Sequence, residues 1–172
     1  MWIGLVGSEM CIRDSPPSIK RFGCMTSFPW LTLIGMDAGG FASLTPDSCA
    51  ALQTAPTIMG PSRHLSLLPD LPAQKLVWPV PFQAGIDQLL AMRGQPVAVL
   101  VSGDPFWFGA GSQLVCTLEH TEWLALPGRS CFSLAASALG WALDSTTCLG
   151  LHAAPLTRLR PHLSPGRRLF VT

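Results

Sequence analysis

The chain has 172 residues, 48% of them hydrophobic and 12% charged, with a formal net charge of +1. That hydrophobic content argues against extensive disorder, and so even a charge gives no general reason to expect a nucleic acid or a membrane surface as partner. No uninterrupted apolar run in the sequence reaches the roughly 18 residues of a membrane span, and the length suits one domain with a core, or one domain plus the start of another.

Met1 to Phe28 mixes short apolar pieces, charges and Pro16-Pro17 without helix or strand periodicity. It has no basic segment ahead of a long apolar core, so it does not read as a signal peptide. The segment Glu9-Met-Cys-Ile-Arg-Asp-Ser15 resembles the translation of a transposase adapter end used in sequencing libraries. Residues 1–28 are therefore expected to be a leader, disordered, non-native to about residue 15, with a native start near Met25.

From residue 29 onward, apolar strand-like runs alternate with helical segments, which predicts an α/β domain over 29–143 with helices on the faces of a mostly parallel sheet. Trp30 to Gly35 is the first strand. A helix follows from Pro46 to about Thr54, with Thr45 as N-cap, Pro46 at the first helical position and Asp47 near the positive end of the dipole. Next come a strand at Thr57 to Met59, a small helix around Ser62 to Leu67 and a strand at Lys75 to Trp78. Ile86, Leu89, Leu90 and Arg93 stand at helical spacing ahead of a Gly94 stop. Pro96 to Val101 reads as a strand buried on both faces, because it is continuously apolar, β-branched and bounded by turn residues. Gly109 to Leu118 is expected to be helical, Trp123 to Leu126 a strand and Ser130 to Leu139 a helix. The polar stretch Asp144 to Thr147 is expected to be a linker, opening a region 144–172 that begins a second α/β domain. Within it, Cys148 to His152 is the expected strand, Leu156 to Leu163 a helix interrupted by Pro161, and Arg168 to Thr172 the start of another strand.

The most informative stretch is Leu100-Val-Ser-Gly-Asp-Pro-Phe-Trp-Phe-Gly109, where a buried strand runs straight into a Gly-Asp-Pro turn. In open α/β sheets ligands sit beyond the carboxyl ends of the strands. Gly103 lets the backbone turn, Pro105 fixes the exit direction, and Asp104 leaves an acceptor-only carboxylate at the rim. Asp104 is alternatively a turn former alone, and Phe106 and Phe108 are expected to pack in the core or an interface. The loop Gly35-Met-Asp-Ala-Gly-Gly-Phe41 follows a strand, yet Asp37 stands where a dinucleotide fingerprint needs its second glycine, and a carboxylate there repels a pyrophosphate. Ser130 is placed to cap a helix whose free amides can also receive an acceptor atom. The cysteines at positions 11, 24, 49, 116, 131 and 148 include no CxxC pair, and the four histidines form no ligand pair, which disfavours zinc and disulfide frameworks. Scattered cysteines of this kind fit small buried hydrophobes in a reducing cytosol. No GxSxG elbow and no serine or cysteine triad stands out.

Trp30-Leu-Thr-Leu-Ile-Gly35 with Ala42-Ser-Leu-Thr45, Arg63-His64-Leu65, Val77-Trp-Pro-Val-Pro-Phe82, Ser102 to Gly109, Phe132-Ser-Leu-Ala-Ala136 and Leu139-Gly-Trp141 occur in that order. From about Trp30 to its end the chain resembles the tetrapyrrole methylases, and among them the CbiE-like domains. The resemblance implies a three-layer αβα domain with a second α/β domain after it. It also implies S-adenosyl-L-methionine held between the two, and a homodimer in the cytoplasm. The implied activity is C-methylation of a precorrin, precorrin-6Y-like, in cobalamin biosynthesis.

By the same resemblance Ser102, Gly103 and Asp104 hold the cofactor, and Trp107 contacts it. Ala38 approaches it through backbone, although Asp37 and Ala38 replace the glycine and proline of the family's GxGPG-type loop. Ser130 and Cys131 match a Ser-Ser or Thr-Ala-like pair that touches the cofactor, with Cys131 departing from the usual serine. His152 matches a cofactor-facing position, followed here by Ala153 and Ala154 instead of Gly-Arg. Arg63 and Arg129, each after a strand end, are the expected partners of a polycarboxylate macrocycle. The alternatives are another methylase of the superfamily, acting on a uroporphyrinogen, another precorrin or a protein side chain, and a folded but inactive fragment. The fused decarboxylating module of some relatives is absent from this sequence, and weak or no activity is expected of the chain by itself.

Overall fold

The computed structural model describes residues 29–152 and 154–172. The expected leader, with its adapter-like segment and Met25, lies outside the described residues, as does Ala153. Seven strands and five α-helices are described: β1 Leu31–Met36, α1 Pro46–Thr54, β2 Thr57–Gly60, α2 Ser62–Leu65, β3 Gln74–Val77, α3 Phe82–Ala91, β4 Val97–Ser102, α4 Gly111–Val115, β5 Trp123–Leu126, α5 Cys131–Leu139, β6 Thr147–Leu149 and β7 Leu169–Val171. Three 3-10 turns, Gly40–Ser43, Leu143–Ser145 and Leu156–His162, lie between them.

The first five strands form one sheet in the order β3-β2-β4-β1-β5, every pairing parallel. In the central strands β1 and β4 continuous apolar runs make this possible, since a strand covered by helices on both sides has no solvent face to fill with polar residues. In β1 the alternation of side chains across the strand sends Leu31 and Leu33 to one face and Ile34 and Met36 to the other. The first face packs with Val97, Val99 and Val101 of β4 against Leu89 of α3 and Leu114 of α4. The second packs with Ala98 and Leu100 against Leu52 of α1 and Leu65 of α2. The expected α/β sheet with helices on its faces is the one observed. A separate two-stranded parallel sheet pairs β6 with β7, and Phe132 and Ala136 of α5 pack on Phe170 of β7.

Local signals place most element ends. Thr45 caps α1, its side-chain oxygen accepting from the Ser48 amide, with Pro46 in the first turn, and Ser130 caps α5 by accepting from the Ser133 amide. Gly140 ends α5 in the left-handed conformation at φ 64°. Three expectations need correction. The helix expected over Gly109 to Leu118 is α4, only Gly111–Val115, because two glycines at its start carry the poorest helix propensity short of proline. The polar stretch Asp144 to Thr147 holds a 3-10 turn and the first residue of β6 rather than an open linker. The helix expected over Leu156 to Leu163 is a 3-10 run, Leu156–His162, as suits a segment in which Pro161 lacks the amide an α-helix needs.

At the opposite end of the sheet from the strand-end loops, one carboxylate ties three elements together. Glu122, just before β5, accepts from Trp30 Nε1 at 3.1 Å, Arg93 Nε at 2.6 Å and its neighbour Glu119's amide at 2.9 Å. The Arg93 hydrogen bond, followed by the Glu119 amide, pulls its pKa from 4.5 down to about 2. A carboxyl depressed on folding contributes stability that is complete above its unfolded pKa and is lost as pH falls through the folded one. The wild-type urea midpoint is therefore expected to fall between pH 4.5 and about 2 by more than that of Glu122→Gln, and equal falls in the two proteins would refute the assignment.

Candidate functional site

Because the five strands of the large sheet are parallel, their carboxyl ends deliver the loops after β1, β2, β4 and β5 to one edge. The chain leaves β1 for α1 on one face of the sheet and leaves β4 for α4 on the other. Adjacent strands whose connections diverge in this way open a crevice between them. That crevice lies between Met36 and Ser102, which are register partners at the ends of β1 and β4.

The loops meet there through backbone. The Gly103 amide donates to Met36 O at 2.9 Å and the Gly128 amide to Gly103 O at 3.2 Å. Gly103 has φ 61°, a left-handed conformation that only glycine adopts freely. A Cβ on Gly35 would stand 1.9 Å from Gly103 O and 2.3 Å from Gly128 N, both backbone atoms. A glycine in or beside three neighbouring strand ends was legible in the sequence; that the three touch was not.

Beyond this contact opens a cavity of about 550 Å3. Of the residues singled out in the sequence, it brings together Arg63, Ser102, Gly103, Asp104, Trp107, Ser130, Cys131 and His152. Its walls are mainly apolar, and Trp78 and Val80 of the β3–α3 loop and Phe82, the first residue of α3, contribute to them. Sequence reasoning assigned those three no role in the site, although the alternation Trp-Pro-Val-Pro-Phe flags a rigid aromatic loop. Trp78 stacks on Phe82 at 5.1 Å and donates through its indole N–H to Phe82 O at 3.2 Å. Asp104 is half-buried, and its Oδ1 accepts from the Phe106 amide at 2.8 Å. It is therefore a turn former, and the same carboxylate lines the cavity.

Phe106, Trp107 and Phe108 are each about half exposed, at 46%, 48% and 51%, so of the two placements expected for the phenylalanines, core or interface, the core is not the one observed. Phe106 lies on Trp123, and Phe108 meets Phe132 edge-on at 5.7 Å. Phe108 has φ 55°, a conformation that strains a bulky residue, and a Cβ on Gly150 would stand 2.5 Å from its ring. The turn is thus held against the segment that follows β6. His152 lies exposed in a turn rather than within the strand expected over Cys148 to His152, which ends at Leu149.

Ala38 and Arg129 fall outside this cavity, in an adjoining hollow of about 370 Å3 that shares Arg63, Ser102, Gly103 and Cys131 with it. Arg63 donates to Ser102 Oγ at 2.6 Å. Arg129 is bound by Asp37: its Nε and Nη2 lie 2.9 and 2.7 Å from Asp37 Oδ2. Asp37 Oδ1 accepts from Ser43 Oγ at 2.6 Å and the Gly39 amide at 2.8 Å. The Ser43 hydrogen bond first, then the Gly39 amide and the Arg129 charge, hold the Asp37 carboxyl below its ordinary value against the opposing effect of burial. Arg129 is thereby spent partly on the protein, and the Asp37 carboxylate that disfavours a pyrophosphate serves as a clamp between the loops after β1 and β5.

Among the described residues no cluster of three metal-ligating side chains occurs, and no helix is long and apolar enough to cross a membrane. Comparison with known proteins adds identity to this geometry. Residues 31–170 match the family model of the tetrapyrrole (corrin/porphyrin) methylases. A precorrin-6Y C(5,15)-methyltransferase [decarboxylating] of a Sinorhizobium species is 42% identical over 160 residues, which are 92% of this chain and 37% of that protein. The chain thus spans little more than a third of that relative's length. A uroporphyrin-III C-methyl transferase from Thermus thermophilus, solved in complex with S-adenyl homocysteine, is 25% identical with a TM-score of 0.58, over 76% of this chain and 60% of that one. A cobalamin biosynthesis precorrin-6Y methylase from Archaeoglobus fulgidus shares the fold at a TM-score of 0.61 and 22% identity, over 84% of this chain and 72% of that one. The chain belongs to the tetrapyrrole methylases.

Proposed function

We propose that this chain is the cofactor-binding part of an S-adenosyl-L-methionine-dependent C-methyltransferase acting on a precorrin-6Y-like corrinoid in cobalamin biosynthesis. The observation that carries the reading is the cavity at the β1/β4 crevice, where one carboxylate, Asp104, meets a largely apolar wall. Its volume of about 550 Å3 falls in the range of small-molecule sites. The donor set suits the group: an acceptor carboxylate and strand-end carbonyls complement a cationic ligand with ribose and amino donors, and aromatic and aliphatic walls complement its nucleoside. The relative at 42% identity is named for precorrin-6Y methylation, which supports the acceptor class.

When bound, the cofactor supplies a methyl group already activated on a sulfonium. The protein's work is then alignment and exclusion of water. In this reading Ser102, Gly103 and Asp104 receive the donors of the ligand, and Trp107 covers it. Ala38, Ser130, Cys131 and His152 complete its surroundings. The Ser130 hydroxyl, engaged at the α5 cap at 3.0 Å from the Ser133 amide, contributes through backbone. Arg63 and Arg129 stand at the rim for acid groups of the methyl acceptor. Residues 29–143 form the cofactor domain in this account, and 144–172 the beginning of a second domain whose remainder completes the cleft. A homodimer in the cytoplasm is part of the same proposal. Calorimetric titration with S-adenosylhomocysteine, on this chain extended through its second domain, tests it: saturable binding at one site per chain is expected, and no heat at millimolar ligand overturns the reading.

A further inference from the structure

The cavity at the β1/β4 crevice runs along the carboxyl edge of the sheet, and the strand order β3-β2-β4-β1-β5 sorts its lining. The cofactor residues in it stand behind β4, β5 and β6, whereas its other end belongs to β2 and β3, behind which come Arg63, Trp78, Val80 and Phe82. No residue behind β3 has a role above, yet a rigid apolar surface is exposed there. Val80 is 95% exposed, the highest value of any large hydrophobic among the described residues, and Phe82 is 39% exposed. Val80 stands between Pro79 and Pro81, whose rings fix φ on either side of it. The Trp78 amide donates to Gly60 O at 2.8 Å, which ties the loop to the end of β2. The Trp78 ring lies so close on α3 that a Cβ on Gly85 would stand 2.2 Å from its Cε2. The loop is thus held without help from the Val80 side chain. A lone exposed valine is ordinary, but one fixed at the mouth of a cavity beside exposed aromatic rings is a contact surface.

Three constraints select its occupant. Methyl transfer needs the attacking carbon about 3–3.5 Å from the methyl group, so the acceptor has to reach the cavity that holds the cofactor. A volume of about 550 Å3 suits one small molecule, so a macrocycle meets the cofactor from the mouth and does not share the interior with it. At the mouth, β2 lies between β3 and β4, and Arg63 behind it is exposed and donates to Ser102 Oγ at 2.6 Å. A cation beside an apolar shelf complements a ligand with acid arms and an apolar ring face. We propose that the β3–α3 loop seats the ring face of the methyl acceptor, with Val80 in contact with it and Trp78 and Phe82 backing the shelf. The inference rests on the reading of the acceptor as a corrinoid macrocycle, and it assigns the apolar half of its recognition to residues outside the cofactor position.

Fluorescence titration with uroporphyrin, a planar macrocycle with acid arms, tests it on this chain extended through its second domain and saturated with S-adenosylhomocysteine. Saturable binding is expected. The Kd of uroporphyrin is expected to rise about fivefold in Val80→Ser, the size of burying roughly half a valine side chain, and to stay within about a factor of two in Val80→Ile, which keeps an apolar surface. The loss in Val80→Ser is expected to be equal at low and high salt, whereas the loss in Arg63→Gln shrinks as salt screens the charge. Because the Val80 side chain is almost fully exposed, both Val80 variants are expected to keep the wild-type urea midpoint and the wild-type affinity for S-adenosylhomocysteine. An unchanged uroporphyrin affinity in Val80→Ser overturns the shelf and leaves the methyltransferase reading standing, as does a wild-type chain that binds S-adenosylhomocysteine and not uroporphyrin. Loss of a dimer in Val80→Ser by sedimentation velocity, with the uroporphyrin affinity unchanged, gives the loop to a contact between copies instead. Failure of S-adenosylhomocysteine to bind the wild-type chain removes the methyltransferase reading and this inference with it.

Discussion

Replacing Asp104 with asparagine is expected to weaken binding of S-adenosylmethionine by roughly tenfold while leaving the fold intact, and Asp104→Ala is expected to weaken it further. The asparagine variant separates the two jobs of the side chain. Its amide oxygen can still accept from the Phe106 amide, as Oδ1 does at 2.8 Å, so the turn persists, while the negative charge is gone. A hydrogen bond to a charged group is worth about 1.5–3 kcal/mol and a neutral one about 0.5–1.5; the difference corresponds to the stated factor at about 1.4 kcal/mol per tenfold. Asp104 is only half-buried, so salt screens part of this, and the ratio of wild-type to variant affinity should shrink as ionic strength rises. The loss should also be larger for S-adenosylmethionine than for S-adenosylhomocysteine, which lacks the sulfonium charge. Calorimetry on both ligands at two salt concentrations reads all three effects. Affinities equal within a factor of two would mean that the carboxylate only shapes the turn.

Much of the sheet was legible because its signals are local. Val97 to Val101 is apolar without interruption, and a strand covered on both faces tolerates nothing else; Thr45-Pro46-Asp47 and Ser130 announce helix starts by chemistry that acts within one turn. The residues of the cavity at the β1/β4 crevice were legible for a second reason: a parallel sheet sends every strand end to one edge, so residues just past strands in the sequence become neighbours in space. The Asp37–Arg129 pair joins residues 92 apart in the chain, and no spacing rule reaches that far. In sequence Asp37 looked like a defect in a glycine loop and Arg129 a partner for acid groups of the macrocycle; in space each holds the other. The aromatic turn was legible only in part. Three consecutive aromatics suggest a core or an interface, but a segment held in a tight turn by Asp104 and Pro105 cannot bury all three in the core, and each remains half exposed.

Gly35→Ala should cost about 3 kcal/mol of stability or more and abolish cofactor binding, although it adds one methyl group to a strand of ordinary torsions. The added Cβ meets Gly103 O at 1.9 Å and Gly128 N at 2.3 Å, and neither backbone atom can rotate away as a side chain would. The loops after β4 and β5 must therefore separate from β1 by more than an ångström. That movement breaks the Gly103–Met36 and Gly128–Gly103 hydrogen bonds, now 2.9 and 3.2 Å, in a place where lost bonds cost about 1–3 kcal/mol each, and overpacking adds a similar amount. Against a typical total of about 5–15 kcal/mol, the variant should unfold at much lower urea with a similar slope. Gly94→Ala supplies the contrast: nothing lies within 4 Å of its Cβ and only its φ of 86° resists the change, so a loss of about 1–2 kcal/mol is expected there with binding unchanged. If Gly35→Ala costs no more than Gly94→Ala and still binds S-adenosylhomocysteine, the three strand-end loops do not need backbone contact, and the geometry on which the cofactor reading depends is not the one the protein uses.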